Sequence, residues 1–447
     1  MYHDLTRGSI SRSLLLFALP MIAGDLLQQC YNLADTLIVG RILGSQALAA
    51  VGSAYTLMTF LCSVFLGLGM GAGAVISIYL GRQDDASRKQ AAFHALLLIL
   101  VVTVVVNLLV YLGMDPILRF LRVPSDIYAP MRAYLMIIFA GILATSVYNY
   151  FSCMLRAFGN SVVPLVFLAV SAVLNIGLDL LFVAVFSWGI RGAAAATVLA
   201  QYLSGIGILL YCLLFCRDLF PSRKDLHFDR NILKEIVGLS SMTCIQQSVM
   251  NFGILMVQGL VNSFGSTVMA AFAAAVKIDT LAYLPVQDFG NAYSTFIAQN
   301  YGAGEKERIR KGTRQSFLIS FTFCIIISAA VWTFAGNLMQ IFVKSVETAV
   351  IAAGVSYLRI EGAFYCGIGC LFLLYGYYRA IKRAEMSVVL TVISLGTRVV
   401  LAYLLSATAL RETGIWLSIP IGWFLADITG LLYMRHGTGS PAESSFL

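Results

Sequence analysis

Twelve stretches of predominantly apolar residues, each long enough to cross a bilayer, run from one end of this sequence to the other. They lie near 12–40, 46–80, 90–113, 128–149, 161–186, 190–216, 233–262, 268–300, 313–336, 349–376, 384–408 and 412–434. About 20 apolar residues are needed to span the hydrocarbon core as a helix. Lipid offers no partner for an exposed backbone N–H or C=O, so spans of this kind must be helices. Only 12% of the residues are charged and 59% are hydrophobic, with mean hydropathy +0.85, whereas a soluble domain carries about a quarter charged residues. The expected class is an all-α polytopic membrane protein with twelve transmembrane helices.

The first apolar run, with Arg7 and Arg12 ahead of "LLLFALPMIAG", has the outline of a signal peptide. It lacks a clean small-x-small cleavage site, and the apolar pattern continues through Asp35, so a first transmembrane helix is expected instead. Pro20 is expected to kink that helix, because proline lacks the N–H and crowds the preceding turn.

Basic residues orient the spans. With the amino terminus on the cytoplasmic side, 20 of the 30 Lys and Arg residues fall on that side and 7 on the other, while Lys277, Arg359 and Arg398 lie within spans. Both termini are therefore expected in the cytoplasm, in a plasma membrane. Loops holding Arg88, Lys224 and Arg310 should face inward, and those holding Arg122 and Lys344 outward. This asymmetry explains the net charge of +8, and no nucleic-acid partner is expected. The nine cysteines form no Cys-x-x-Cys pair and are read as packing residues, as is His94. The glycines of "GLGMGAGA", residues 67–74, follow no strand; they read as small-xxx-small helix contacts, not as a nucleotide loop. Without a phosphate-binding loop, any pumping must be driven by an ion gradient.

The polar interval 216–230 divides the chain into halves, read as an amino-terminal six-helix lobe (1–216), a cytoplasmic linker (217–232) and a carboxy-terminal six-helix lobe (233–447). A shift of 221 positions overlays 44–81 on 265–302 with nine identities, among them Gly69/Gly290 and Gly81/Gly302, against roughly three by chance. Two parallel, pseudo-symmetric lobes around a cavity are a common plan for secondary transporters. No His/Asp/Ser or His-x-x-x-His arrangement occurs in any span, which argues against an enzyme.

Seven acids lie inside spans: Asp25, Asp35, Asp179, Asp279, Asp288, Glu361 and Asp427. Acids at such depth are costly and face the protein interior, which makes them functional candidates. Gln28, Tyr31, Asn32 and Asp35 share one face of the first helix, and Asn175 and Asp179 share one face of the fifth. Asp35, Asp179 and, on the sixth helix, Thr197 fall at a similar depth. Two carboxylates, an amide and a hydroxyl form an all-oxygen set suited to a hard cation such as Na⁺, and the paired acids are equally suited to a proton.

These residues are also where the sequence resembles a known family. "YNLADTLIVGRILGSQALAAVG", and "MLRAFGNSVVP" leading into "LNIGLDLLF", resemble the multidrug and toxic-compound extrusion (MATE) family over the whole chain, most of all its DinF-like branch. The resemblance implies a cation site formed by Asp35, Asn175, Asp179 and Thr197, a helix 1 bend at Pro20, and export of organic, cationic compounds in exchange for Na⁺ or H⁺. No further cofactor is expected. The partners expected are small organic molecules and the lipid bilayer, and the protein is expected to be monomeric. Gln28, Tyr31, Asn32, Asp288 and Glu361 are candidates for the substrate cavity. In another branch acids of the second lobe help bind the cation; here the seventh span carries Gln246 and Gln247 midway and no acid beyond Glu235 near its start. Matching Arg156 to Arg379 puts Arg398 opposite Asn175 and Ala402 opposite Asp179, so only the first lobe is expected to carry the ion site. The seven acids against three bases within spans favour cationic cargo. The alternative is a lipid-linked oligosaccharide flippase of the same broad superfamily, against which the twelve spans and the excess of buried acids argue.

Overall fold

The structure is a computed structural model and describes residues 4–120, 123, 125–220 and 228–436; Arg122 and Lys224 lie outside them. Among the described residues there is helix and no strand. The helices are α1 (Ile10–Leu43), α2 (Ser45–Gly81), α3 (Asp85–Leu112), the short α4 (Met114–Phe120), α5 (Ser125–Ile138), α6 (Ile142–Ala157), α7 (Val162–Asp179) and α8 (Gly189–Phe215). They continue with α9 (Arg230–Asn262), α10 (Ser266–Ala303), α11 (Lys306–Phe342), α12 (Thr348–Gly362), α13 (Tyr365–Ala380), α14 (Ala384–Ser406) and α15 (Arg411–His436).

Eleven spans have the length and composition to cross a membrane, and α12 with α13 makes a twelfth if the pair is counted as one. That pair corrects the expectation of one uninterrupted span over 349–376: the axes differ by 52°, and the break follows Glu361 and Gly362. The fourth span is built from α5 and α6 through a single 3₁₀ turn at Phe139–Gly141. The fifth passes directly from α7 into a π-helical segment, Leu180–Val185, whose first residue follows Asp179. A wider helical turn of this kind is rare and is found often at functional sites. α1 runs unbroken through Pro20.

Two compact units are present. Among the described residues, one comprises those of 23–80 and 84–244; the other comprises those of 4–22, 81–83 and 245–436. Helix α1 therefore contributes to both, with Pro20 in the second and Asp35 in the first.

In the first unit the core gathers Val39, Phe65, Tyr134, Leu135, Phe139 and Val183 from α1, α2, α5, the 3₁₀ turn and the π segment. The glycines of α2 make the close helix contacts expected of them. A Cβ at Gly67 or Gly71 would lie 2.5 or 2.4 Å from the Cα of Cys244 or Ser240 on α9, and one at Gly69 would lie 2.9 Å from Cys153 Sγ on α6. His94, wholly buried on α3, has a packing and capping role. Its Nδ1 lies 2.8 Å from the Gln90 carbonyl, and its Nε2 accepts from the Asp229 N–H at 3.2 Å. Asp229 in turn caps α9 by accepting from the Asn231 and Ile232 N–H groups.

In the second unit the largest buried side chain, Trp416 of α15, stacks on Phe272 of α10 with centroids 5.4 Å apart and meets the edge of Tyr357 of α12 at 5.0 Å. Many large apolar side chains lie exposed on the outer faces, including Leu108, Leu109, Val173, Ile325, Ile326 and Phe424. Lipid is the solvent that such faces require.

Candidate functional site

Asp35 sits on α1 eight residues before its end, about 12 Å along the axis. Asp179 closes α7 and is fully buried, and Asn175, one turn earlier, is 2% exposed. Their carboxyl groups bring α1 and α7 together, for Asp35 and Asp179 interact side chain to side chain. Thr197 is supplied by α8, eight residues after its start. Asn175 Nδ2 donates to Thr197 Oγ1 at 3.3 Å, and Thr197 Oγ1 donates to the Ala193 carbonyl at 3.1 Å. All four residues expected to form the cation set are thus brought together within the first unit.

The hydrogen-bond inventory of this cluster is unbalanced. Asp35 Oδ1, both oxygens of Asp179 and Asn175 Oδ1 are buried with no donor on them. Buried polar atoms are rarely left so, since each missing partner costs about 1–3 kcal/mol and more for a charged group. Among the described residues no basic side chain acts on either acid. Two carboxylates side by side in a poorly solvated site repel one another and become compatible once a proton or a cation is shared between them. Thr197 explains the rest: by engaging Nδ2 of Asn175 it leaves Oδ1 of that amide as a free acceptor. The donor set fits a monovalent hard cation, being all oxygen. Among the described residues no group of three or more His, Cys, Asp or Glu side chains has an arrangement for a metal ion, so a transition-metal centre is not the pattern here.

Tyr31, on the same face of α1, interacts with Gln28 and lies in the field of Asp35, with Tyr55 and Cys62 of α2 beside it. Asn32 is placed one turn ahead of Thr36, whose hydroxyl donates to its carbonyl at 2.8 Å. Sequence reasoning missed Tyr134 of α5. It is 4% exposed, and Asp35, Asp179 and Tyr31 all act on its hydroxyl. Nothing in the spacing along α5 marks it; three helices meeting around one side chain do. Beyond these residues the first unit holds a small, partly open and mostly apolar pocket lined by Met58, Cys62, Phe65, Phe139, Thr145 and Gln201 among others.

A second acid pair lies in the second unit. Asp279 of α10 and Glu361 of α12, 5% and 1% exposed, interact side chain to side chain, with the Tyr357 hydroxyl against Glu361 and that of Tyr365 against Asp279. Arg398 of α14 supplies positive charge to both. Of the three basic residues within spans, Arg398 is the one that acts on this pair. Lys277 lies over the Phe342 ring at 6.0 Å and Arg359 over that of Trp332 at 4.9 Å; both are cation–π contacts. Asp288 is buried nine residues beyond Asp279 on α10, about 14 Å along the axis. Asp427 of α15 is buried against the Cys370 thiol.

The model for the family described as MatE matches residues 20–181 and 240–404. The chain belongs to the MatE family. It is 30% identical over 437 residues to the "Probable multidrug resistance protein YpnP" of Bacillus subtilis (strain 168), covering 97% of both chains. It is 25% identical to the "Probable multidrug resistance protein NorM" of Thermotoga maritima (strain ATCC 43589 / DSM 3109 / JCM 10099 / NBRC 100826 / MSB8), covering 96% of this chain and 93% of the other. Among solved structures, a multidrug resistance MATE family transporter of the MOP superfamily in an outward-facing conformation superposes with TM-score 0.91 at 25% identity, covering 96% of each chain. This MATE protein is therefore a polytopic membrane transporter and not an enzyme. Its relatives are named for multidrug resistance, so the flippase alternative is not favoured.

Proposed function

We propose that this MATE transporter is a secondary antiporter that exports organic cations in exchange for inward Na⁺ or H⁺, with Asp35, Asn175, Asp179 and Thr197 as the coupling site. The observation that carries the reading is the cluster of four buried oxygens without donors, three of them belonging to an acid pair on which no basic side chain acts. The pair of Asp279 and Glu361 also has donor-free oxygens but differs in lying in the positive field of Arg398. An ion that enters the first site is lost again when the site opens to a compartment poor in it. If cargo and ion favour different conformations, the two fluxes are coupled through one equilibrium. The residue set supports placement in the DinF-like branch. The excess of acids over bases within the spans supports cationic cargo, and the distribution of Lys and Arg supports both termini in the cytoplasm of a plasma-membrane protein acting as a monomer.

The experiment is dye efflux from right-side-out vesicles under an imposed Na⁺ gradient, an imposed pH gradient, both and neither. Efflux should follow one of the ion gradients and vanish in the D35N/D179N double variant. Efflux near the wild-type rate in that variant would sink the coupling site.

A further inference from the structure

Residues 4–8 precede the first helix, and their backbone is held by side chains of α10 and α11. Leu5 is wholly buried. Its N–H donates to Gln299 Oε1 and its carbonyl accepts from Asn300 Nδ2, both at 3.2 Å. Arg308 closes over the same segment. Its Nε and Nη2 donate to the Leu5 carbonyl at 3.3 and 3.1 Å, Nη2 also to Arg7 O at 2.8 Å, and Nη1 to Gly8 O at 2.8 Å. Gly8 has φ +75°, a left-handed conformation that glycine adopts without strain. Further on, Ser11 Oγ donates to Gln315 Oε1 at 2.8 Å.

This is an unusual use of a charge. A guanidinium offers five donors in a rigid fork, and here four hydrogen bonds go to three neutral backbone carbonyls while the group lies 5.6 Å from the Phe296 ring centroid. The end of α2 seats on the same turn of α10: a Cβ at Gly81 would lie 1.9 Å from Gln299 O. From this anchorage α1 runs continuously to Asp35, 25 residues beyond Ile10, about 38 Å along the axis. A helix conveys a displacement at one end only if it is held somewhere else, and the clamp holds its beginning.

We infer that Arg308 is a positioning residue for transport: by clamping Leu5–Gly8 it holds the start of α1 in place as ions exchange at Asp35 further along the same helix. The inference rests on the coupling reading above. Its test uses a cysteine-free background carrying L5C, whose thiol is shielded while the segment is seated. Maleimide labelling of L5C in everted vesicles, dye efflux per folded protein, and cation titration of the purified protein by intrinsic fluorescence are read in parallel. R308A should raise the labelling rate about ten- to a hundredfold, the ratio conferred by hydrogen bonds to a charged group. It should abolish most coupled efflux and leave the cation titration unchanged. R308K, a point charge without the fork, should fall between. Should R308A fail to accumulate, R308Q and G8A supply the same comparison. Unchanged labelling in these variants, or normal efflux with the segment released, overturns the inference. D35N should lose the titration yet keep L5C shielded; a titration that survives in D35N overturns the coupling reading beneath the inference, and it is seen independently of the labelling.

Discussion

Asn175 on α7 donates through Nδ2 to Thr197 Oγ1 on α8 at 3.3 Å, and that bond leaves the oxygen end of the amide as the open acceptor. Because the Thr197 proton is already given to Ala193 O, its oxygen accepts from Asn175, and Asn175 Oδ1 remains buried without a donor. Thr197 thus acts on the site partly through its neighbour. T197V, which keeps the shape and removes the hydroxyl, should weaken cation binding by about tenfold, the scale of a hydrogen bond to a buried polar group. N175A should weaken it at least as much. A proton-coupled protein would show little change in either variant, so a Na⁺ titration of both also identifies the ion.

D35N and D179N should each abolish coupled efflux while folded yield holds or rises. The amide is nearly isosteric with the acid and less costly to bury than its charge, and the substitution relieves a pair that repels when both groups are ionised. Thermal unfolding in detergent without Na⁺ should show each variant at least as stable as the wild type. Added Na⁺ should then stabilise only the wild type, as a ligand bound by the folded state does.

The Tyr134 hydroxyl lies in the field of the acid pair, so Y134F should alter ion binding without disturbing the core, since the ring stays packed. The expected change in affinity is up to about tenfold, read by the same titration, with melting temperature close to the wild type.

In the second unit Arg398 should be the residue whose loss is most damaging. R398A leaves two interacting buried acids without their cation, and removing one partner of a buried charged group costs about 3–5 kcal/mol. Folded yield should fall sharply. D279N combined with R398A should recover much of it, because the pair then carries fewer uncompensated charges. Cation binding at the first site should persist in the double variant; its loss would mean that the second unit contributes to that site.

Orientation is checked by labelling single cysteines from outside intact cells. Cysteines at positions 88 and 310 should stay unlabelled and one at 344 should react, as the distribution of Lys and Arg requires.

Much of the architecture could be read from residues alone, because lipid leaves a chain few options. Once an apolar run reaches spanning length, a helix follows from the backbone's need for partners; eleven runs have matching helices, and the bent α12–α13 pair accounts for the twelfth. The face shared by Asn175 and Asp179 follows from helical periodicity in the same way. What α1 meets does not. Periodicity puts Asp35 on a face but does not say that Asp179 interacts with it, that Tyr134 lies in the field of both, or that Thr197 takes the nitrogen of Asn175 and leaves its oxygen open. Nor does it announce the break after Glu361 and Gly362, the π turn after Asp179, or the grip of Arg308 on three carbonyls some 300 residues earlier. Local spacing is set by covalent geometry and solvent, so the sequence determined the spans, their faces and the acids. Pairing across helices depends on which surfaces pack, and only the tertiary structure decided that the first acid pair lacks a cation while the second holds Arg398.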